Sequence, residues 1–325
     1  LSLINKLLYF LNSFSLFLLI LSYLCPLISP EIFWPISFIG LAFPVLYIIN
    51  IFFLLYWLIG LKKPMWSNII ILLIGISNVN NYLGTSPNNS SSNKNIKVLS
   101  YNVRLFNKYN WLPEPKIKEK ISNFLKTESA DILCVQEFYS TKKAPNLNYP
   151  YKNISSQHES NQGHLAIYSK HKQIKKETIR VKGKKMNNTC IYSDLIIQRD
   201  TIRVYNIHLA SNWFNNSDYS FIQNPKKEKF KKGISGIIKR MKISYKKRAK
   251  EVDIIIHHMN NSPYPLIVCG DFNDTPLSYA YNTIKSNLKD AFSVSGKGIG
   301  NSYVNIPALR IDYILHDPIF KSTNY

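Results

Sequence analysis

Four apolar, strand-like runs in this sequence each end in a polar residue, and a fifth run begins with one. The runs are Ile96–Asn102, Asp131–Glu137, Arg203–His208, Leu266–Asn273 and Arg310–Leu315. Buried strands are built from apolar side chains, so a carboxylate, amide or imidazole at a strand end is suited to a site at the edge of a sheet. Together such groups can hold a hard metal ion and a phosphate. The pattern therefore predicts a folded domain with one polar site at its strand ends.

The N-terminal part of the chain is almost free of charge. Residues 7–30 and 32–61 contain no Asp, Glu, Lys or Arg, and each is longer than the roughly 20 apolar residues that a helix needs to cross a bilayer. We expect two transmembrane helices there, since the apolar core of a signal peptide spans only about 7 to 15 residues. Trp66–Leu83 is either a third crossing helix or an interfacial or re-entrant segment. We therefore assign residues 1–84 as a membrane anchor with two or three transmembrane helices.

Lysines in short loops predict how this anchor is oriented. Lys6 and the pair Lys62 and Lys63 favour the cytoplasm, which places the loop containing Glu31 outside. If the third segment crosses the membrane, the rest of the chain is extracytoplasmic. If it does not cross, the rest of the chain is cytoplasmic.

The net charge of +22 arises almost entirely after residue 84, because the first 84 residues contain three Lys and one Glu. A field of that sign attracts phosphate-bearing partners such as nucleic acid, anionic lipid or phosphorylated small molecules. Coding bias toward AT-rich codons would also enrich Lys, so the charge supports a phosphate substrate without selecting one. The four scattered cysteines form neither a disulfide framework nor a zinc motif.

The remainder of the chain mixes strands and helices. Residues 85–95 form a polar linker rich in Ser and Asn, and a compact domain over 96–325 follows it. Apolar residues recur at helical spacing over 115–128 and 234–259, but strands outnumber helices. The sequence therefore predicts an α+β fold, a two-sheet β-sandwich flanked by helices in four α/β/β/α layers, preceded by the transmembrane segment.

Lysines and arginines occupy the other faces of the predicted helix over 234–259. We interpret them as the solvated basic side of a helix packed on a sheet. A contact surface for a phosphate backbone or for lipid is the alternative interpretation.

The polar strand ends resemble those of the endonuclease/exonuclease/phosphatase superfamily, which includes deoxyribonuclease-like phosphodiesterases, sphingomyelinases and inositol-polyphosphate phosphatases. The segments that carry the resemblance are Ser-Tyr-Asn102-Val, Val-Gln-Glu137, Asn206-Ile-His208-Leu, Gly270-Asp271-Phe-Asn273 and Arg310-Ile-Asp312-Tyr. The resemblance covers residues 96–325, and Cys269–Ser278 is its most specific part. The chain also resembles a bacterial branch that has a membrane anchor ahead of the catalytic domain, which implies a multi-pass protein of the bacterial inner membrane.

The resemblance implies a phosphodiesterase or phosphatase that uses Mg²⁺, with Mn²⁺ as the alternative ion, on nucleic acid or phospholipid head groups. Phosphoester hydrolysis needs neutralised phosphoryl charge, an oriented water and a stabilised leaving oxygen. Glu137 would be the metal ligand with Asn102 beside it. His208 would donate to the phosphate, unless it is a structural histidine. Asp271 and Asn273 would handle the proton and bind the phosphate, and on an extended segment they would point the same way.

Asp312 would orient a catalytic histidine through its ring nitrogen. In the family that histidine lies in a Ser-Asp-His segment on a final strand, and the sequence reaches Tyr325 without such a segment. We therefore expect a fragment or a truncated gene, with a catalytic domain that lacks its final strand. His316 is interpreted as a surface residue.

Three functions remain open at this stage. The favoured one is a membrane-anchored, divalent-metal-dependent phosphoester hydrolase. The second is a catalytically inactive, truncated relative that binds phosphate-bearing ligands without turnover. The third is a binding module for a phosphorylated partner. The lipid bilayer is an expected partner through the N-terminal helices, and no protein partner can be inferred.

Overall fold

The computed structural model describes residues 3–85, 95–138, 145–155, 164–180, 189–214, 216–223, 230–304, 306 and 309–325. Its chain forms two compact units, each assembled from separate segments. The helical unit comprises Leu1–Gly84, Ala210–Val252 and Asp274–Ile284, and the sandwich unit comprises Thr85–Leu209, Asp253–Asn273 and Lys285–Tyr325. The domain predicted over 96–325 thus contributes to both units, whereas most of the predicted linker over 85–95 lies outside the described residues.

The helices are α1 (Leu3–Tyr23), α2 (Pro30–Phe33), α3 (Pro35–Leu41), α4 (Phe43–Ile59), α5 (Pro64–Val79), α6 (Ile117–Glu128), α7 (Asn216–Gln223), α8 (Phe230–Asn260), α9 (Tyr279–Lys285) and α10 (Ala291–Ser295). The strands are β1 (Leu83–Thr85), β2 (Val98–Asn102), β3 (Ile132–Phe138), β4 (Tyr151–Ile154), β5 (His164–Ser169), β6 (Lys172–Ile179), β7 (Cys190–Ile197), β8 (Asp200–His208), β9 (Leu266–Asp271), β10 (Lys289–Asp290), β11 (Lys297–Ile299) and β12 (Asp312–His316).

Among the described residues, α1 is the one helix that by itself is long and apolar enough to cross a membrane. The second uncharged stretch folds as α3 and α4, which are bent by 58° and qualify only as a pair. Proline occupies the first turn of both helices, and a helix restarts readily at such a residue because its missing N–H has no partner there anyway. Helix α5, with 16 residues, is shorter than the usual span. The number of crossing helices therefore stays a prediction.

Apolar packing and one buried polar cluster hold the helical unit together. The apolar core combines Leu19, Phe43, Leu46, Leu72 and Leu277. Deeper in the bundle, the Asn12 amide nitrogen donates to the oxygens of Asn50 (3.3 Å) and Asn68 (3.1 Å), while its own oxygen accepts from Asn68 (2.9 Å) and from the Trp57 indole (2.8 Å). These four residues, hereafter the amide cluster, are buried and tie α1, α4 and α5 to one another.

Ten of the described strands form the two main sheets of the sandwich unit. One has the order β10-β12-β9-β8-β7-β6 and the other β2-β3-β5-β4. Strands β2 and β3 are parallel, as are β8 and β9, and the other pairs are antiparallel. The core between the sheets is formed by Ile132, Cys134, Leu165, Ile167, Ile191, Leu195, Ile197, Ile202, Val204, Ile267 and Cys269. Residues from both sheets meet in this core, as a β-sandwich requires.

Helices cover the outer faces of the two sheets. Leu125 and Ile121 of α6 pack against Leu133 of the four-stranded sheet. Tyr205 lies on the outer face of the six-stranded sheet, because its neighbour Val204 faces the core and successive strand residues alternate. His258 of α8 lies over this face with its Nδ1 2.8 Å from the Tyr205 hydroxyl. The predicted α+β sandwich flanked by helices is confirmed.

Candidate active site

Strand direction explains why four of the runs end with a polar residue and the fifth begins with one. Parallel pairing of β8 with β9 sets His208 opposite Asp271. Strand β12 runs antiparallel to β9, so its first residue, Asp312, is the register partner of Asp271. In the other sheet, the parallel pair β2 and β3 aligns Asn102 with Gln136, the neighbour of Glu137. The polar ends therefore collect at one edge of the sandwich unit.

Four of the sequence-predicted residues meet in one group, hereafter the site cluster: Asn102, Glu137, His208 and Asp271. The Asn102 amide nitrogen donates to Glu137 Oε1 at 3.1 Å and to Asp271 Oδ2 at 3.0 Å. His208 Nε2 lies 3.9 Å from Glu137 Oε1 and 4.0 Å from Asp271 Oδ2. This nitrogen is buried and makes no hydrogen bond with the described residues. The cluster thus combines two carboxylates with an imidazole nitrogen that has bonding capacity left over.

The backbone takes unusual conformations at this edge. The register of β3 with β5 shifts between Val135 and Phe138, and Glu137 within this bulge has φ +49°. Bulges re-aim side chains next to functional sites. Gly270, just before Asp271, has φ +149°, and a Cβ there would lie 1.9 Å from the Ile207 carbonyl oxygen. Only glycine allows β8 and β9 to approach this closely beside the site cluster.

Asn273 does not lie on an extended segment. Strand β9 ends at Asp271, and Asn273 has φ +52°. Its backbone N–H donates to Asp271 Oδ1 at 2.8 Å, and its side-chain amide donates to the Leu209 carbonyl oxygen at 3.0 Å. The expectation that Asp271 and Asn273 point the same way along a strand is wrong, because the Asp271 carboxylate closes a turn of the Asx type. Asn273 still lies next to the site cluster, through its bond to Asp271.

Asp271 and Asp312, which are register partners in the six-stranded sheet, both have raised pKa values. Desolvation raises the pKa of Asp271, opposed by the nearby His208 and the hydrogen bond from Asn102. Desolvation, followed by repulsion from Asp271, raises the pKa of Asp312 well above its ordinary range. Asp312 is held by its own backbone N–H, which donates to Ser302 Oγ at 3.0 Å. A cation placed beside these carboxylates would stabilise their ionised forms.

The donor set fits a hard divalent ion in its chemistry. Mg²⁺ commonly binds through one or two carboxylates and keeps several waters, and Glu137 and Asp271 supply two carboxylates around one point. Asn102 turns its nitrogen toward them, while its oxygen accepts the Arg104 N–H at 3.0 Å. Within the described part of the chain, no three His, Cys, Asp or Glu residues are grouped as a metal centre. The ligand roles expected of Glu137 and Asn102 therefore remain predictions.

Sequence reasoning missed two buried amides beneath the site. Gln136 and Asn206 are fully buried, and the Gln136 amide donates to Asn206 Oδ1 at 2.7 Å. The Asn206 amide in turn donates to the carbonyl oxygens of Val135 and Ala166 in the opposite sheet, both at 2.9 Å. Each lies within two residues of a site residue, so this inter-sheet link supports Glu137 and His208 from below. The available signal was a polar residue inside an otherwise apolar run.

His316 is buried, and its interpretation as a surface residue is wrong. It is the last residue of β12, where it pairs with Ile267 and Lys289 in the flanking strands. Its Nδ1 lies 2.9 Å from the Asp317 carbonyl oxygen. The histidine is therefore part of the sheet, at the end of β12 opposite to Asp312.

Two family models match parts of this sequence. The model of the Endonuclease/Exonuclease/phosphatase family matches residues 99–324, and that of a domain of unknown function (DUF8431) matches residues 5–82. No curated protein matches the chain.

Several solved structures are similar at low identity. The 3′ phosphatase NExo from Neisseria, bound to a product DNA hairpin, is 16% identical over 69% of this chain and 88% of its own, with a TM-score of 0.44. TDP2 from D. rerio with a single-strand DNA product is 14% identical over 68% and 83%, with a TM-score of 0.47. A β-hairpin deletion mutant of beta toxin from Staphylococcus aureus is 16% identical over 70% and 89%, with a TM-score of 0.43.

Proposed function

The chain belongs to the Endonuclease/Exonuclease/phosphatase family, and on that premise we propose that it is a membrane-anchored, divalent-metal-dependent phosphoester hydrolase. The observation that carries the proposal is the site cluster, in which two carboxylates and the unsatisfied His208 Nε2 surround the Asn102 amide. Acidic ligands for a cation beside a neutral or cationic donor are what a phosphoryl group needs.

In this proposal each site residue has one task. Glu137 holds Mg²⁺ or Mn²⁺, with Asn102 beside it, and the bound cation supplies charge neutralisation for the phosphoryl oxygens. His208 donates its Nε2 hydrogen to a phosphoryl oxygen, because that atom is buried without another partner. Asn273 adds an amide donor. Asp271 accepts the proton of the attacking water, a task that its raised pKa favours.

Asp312 is proposed as a positioning residue. The family resemblance implies that this carboxylate orients a catalytic histidine. Its place opposite Asp271 in the register and the hydrogen bond that its backbone N–H donates to Ser302 Oγ hold it at the same sheet edge as the site cluster. The substrate is a phosphate ester of nucleic acid or of a phospholipid head group.

We also propose that α1, the α3–α4 pair and α5 all cross the membrane. Asn5, near the start of α1, accepts hydrogen bonds from Tyr56 near the end of α4 and from Lys62 just before α5. One end of the bundle therefore collects Lys6, Lys62 and Lys63, and the preference for positive charge inside assigns it to the cytoplasm.

The opposite end of the bundle is marked by aromatic contacts. Phe43 at the start of α4 meets Tyr23 at the end of α1, with ring centroids 6.0 Å apart, and Tyr82 beyond α5, at 5.6 Å. The three helices thus alternate in direction, which supports three crossings. With the lysine end inside, the chain after α5 continues on the extracytoplasmic side.

The test separates turnover from binding. The complete gene product, purified in detergent, is assayed for release of phosphate or nucleotides from DNA, RNA and phospholipids, with and without Mg²⁺ or Mn²⁺. We expect metal-dependent turnover that Glu137→Gln abolishes and that Glu119→Gln, an exposed carboxylate of α6, leaves unchanged. Mn²⁺ binding followed by electron paramagnetic resonance should weaken in Glu137→Gln alone.

The remaining outcomes assign the alternatives. Mn²⁺ binding that depends on Glu137, without turnover on any substrate, identifies a relative that binds phosphate-bearing ligands but does not hydrolyse them. If the protein shows neither Mn²⁺ binding nor turnover, that result contradicts the metal-dependent proposal.

A further inference from the structure

One face of α8 presents a row of lysines to the outside of the helical unit. Lys239, Lys242, Lys246 and Lys250, hereafter the lysine face, are spaced by three or four residues and fall within about 100° of arc. Lys239, Lys242 and Lys250 are exposed, and Lys246 is half-buried. The sequence has no Asp or Glu between residues 230 and 250, so the first acidic residues of α8, Glu251 and Asp253, lie beyond the end of the row.

The opposite face of the same helix is fixed by burial. Met241, Tyr245 and Ala249 are buried within the helical unit, and Tyr245 makes an edge contact with Phe38 at a centroid distance of 5.4 Å. The rotation of α8 about its axis is therefore set by packing. The lysine face is turned outward as a consequence, and Ile243 in the middle of it is 59% exposed.

The lysine face adjoins the turn that connects α1 with α3. Lys250 forms an ion pair of 2.9 Å with Glu31, and the Lys242 ammonium lies over the Trp34 ring at 5.0 Å. The same turn exposes large apolar side chains, because Leu27 is 77% and Ile32 85% accessible. Cationic, aromatic and aliphatic side chains together are typical of protein segments at a membrane–water interface.

We propose that the lysine face is a docking surface for the anionic head groups of the bilayer that holds α1 and α4. The lysines contact lipid phosphates, and Ile243 with the apolar turn enters the head-group layer. Nucleic acid offers the same phosphate charge but nothing for exposed aliphatic side chains to enter, so the observations favour lipid. The inference rests on the membrane anchoring proposed above, and it adds a second, electrostatic contact that fixes how the helical unit lies on the membrane surface.

The test measures how deeply Ile243 lies in the bilayer. The full chain with Ile243→Cys is spin-labelled at that position, since the four native cysteines are buried, and is reconstituted in lipid nanodiscs. The label's accessibility to oxygen and to a water-soluble nickel chelate is compared between discs of phosphatidylcholine alone and discs with added phosphatidylglycerol. We expect the label to become protected from nickel in the anionic discs and exposed again at high ionic strength.

Charge variants make the test specific. Replacing Lys239, Lys242 and Lys246 by Gln should reduce the ratio of docked to undocked protein on the order of a hundredfold, about fivefold for each lysine. Gln in place of Lys152, Lys172 and Lys176, three exposed lysines of the sandwich unit, should leave the protection intact. Equal loss in both triple variants would show that only net charge matters and would overturn the assignment of this face.

Other results separate this inference from the proposed anchoring. A chain that stays in the discs with its label in water under all lipid conditions contradicts the docking surface alone. A chain that leaves the discs contradicts the membrane anchor itself. If double-stranded DNA protected the label from the nickel chelate in discs of phosphatidylcholine, the lysine face would be reassigned to nucleic acid.

Discussion

The amide cluster of the helical unit and the site cluster of the sandwich unit differ in how completely their polar groups are satisfied. In the amide cluster, Asn12 donates to Asn50 and Asn68, and its oxygen accepts two further hydrogen bonds. In the site cluster, one amide is shared between two carboxylates, and the nearby imidazole nitrogen has no partner among the described residues.

This difference is the one expected between a structural polar cluster and the ligand site that we propose. Neutral amides that bond to one another need nothing else, so the amide cluster serves helix packing and register. In the site cluster, burial and, to a smaller extent, the charge of Glu137 raise the pKa of Asp271, and a cation beside these carboxylates would favour their ionised forms. Substitutions in the site cluster should therefore lower activity without lowering stability, whereas substitutions in the amide cluster should lower stability without changing activity.

The largest expected effect is on activity, at Glu137. Glu137→Gln removes the proposed metal ligand, so hydrolysis should fall on the order of a thousandfold, equivalent to about 4 kcal/mol of transition-state stabilisation. The free energy of unfolding should stay the same or rise by up to about 1 kcal/mol, because repulsion on Asp271 is relieved. Steady-state kinetics and denaturant unfolding measure the two quantities on one preparation. A variant that loses stability together with activity would place the site cluster in the same class as the amide cluster.

The next effect is on stability, at the buried pair of Arg248 and Asp274 in the helical unit. Arg248 Nε donates to Asp274 Oδ2 at 3.0 Å, and Nη1 donates to the Ala210 carbonyl oxygen at 2.8 Å. Arg248→Ala leaves a buried carboxylate without its cation and should cost about 3 to 5 kcal/mol in the free energy of unfolding. The control is Lys250→Ala, which breaks a pair with Glu31 whose side chains are 60% and 36% exposed and should cost less than about 1 kcal/mol. Similar losses in the two variants would refute a special role for the buried pair.

A smaller loss is expected in the amide cluster. Asn12→Leu leaves Asn68 and the Trp57 indole short of a partner and should lower stability in detergent by about 1 to 2 kcal/mol. The catalytic rate per folded molecule should not change. Ser13→Ala, at the exposed neighbouring position, is the control and should be neutral. An active-site effect without a stability effect in Asn12→Leu would break the distinction between the clusters.

The sandwich and the membership of the site cluster could be predicted from the sequence because both follow from local patterns. An apolar run that ends in a polar residue predicts a buried strand and places that residue at the edge of the sheet. This holds for Asn102, Glu137, His208 and Asp271. The run Arg310–Leu315 differs in beginning with its polar group, and the structure places its strand, β12, antiparallel to β9. The conformation of Asn273 and the burial of His316 could not be predicted from such local patterns. Asn273 depends on a turn closed by the Asp271 carboxylate, and the burial of His316 depends on the two strands that flank β12.

The assembly of the helical unit was equally beyond the sequence pattern. Residues 210–252 and 274–284 cluster with the first 84 residues through contacts such as that of Leu277 in the apolar core. A contact between positions so far apart in the chain leaves no periodic signal. The prolines at the starts of α3 and α4 indicate the bend between them. The sequence prediction of one long span relied instead on the absence of charge.

The smallest expected effect is a pH dependence that the site cluster and its neighbour Asp312 should show and the amide cluster should not. The pKa of Asp312 is higher in the folded protein than its unfolded value of about 3.9, so the folded state binds more protons above that pH. Without metal, the free energy of unfolding should therefore decline as the pH rises from about 4 through the folded pKa, and no penalty remains below the unfolded value. Asp312→Asn should flatten this decline in the free energy of unfolding. The control Asp200→Asn, at an exposed position of β8, should leave the decline unchanged. Saturating Mg²⁺ should flatten the decline in the wild-type protein. Because the amide cluster has no titrating group, the stability loss in Asn12→Leu should be the same at both ends of this range. Unfolding curves across the pH series measure both effects. If Asp312→Asn leaves the slope of the unfolding free energy against pH unchanged, the raised pKa of Asp312 is not its cause.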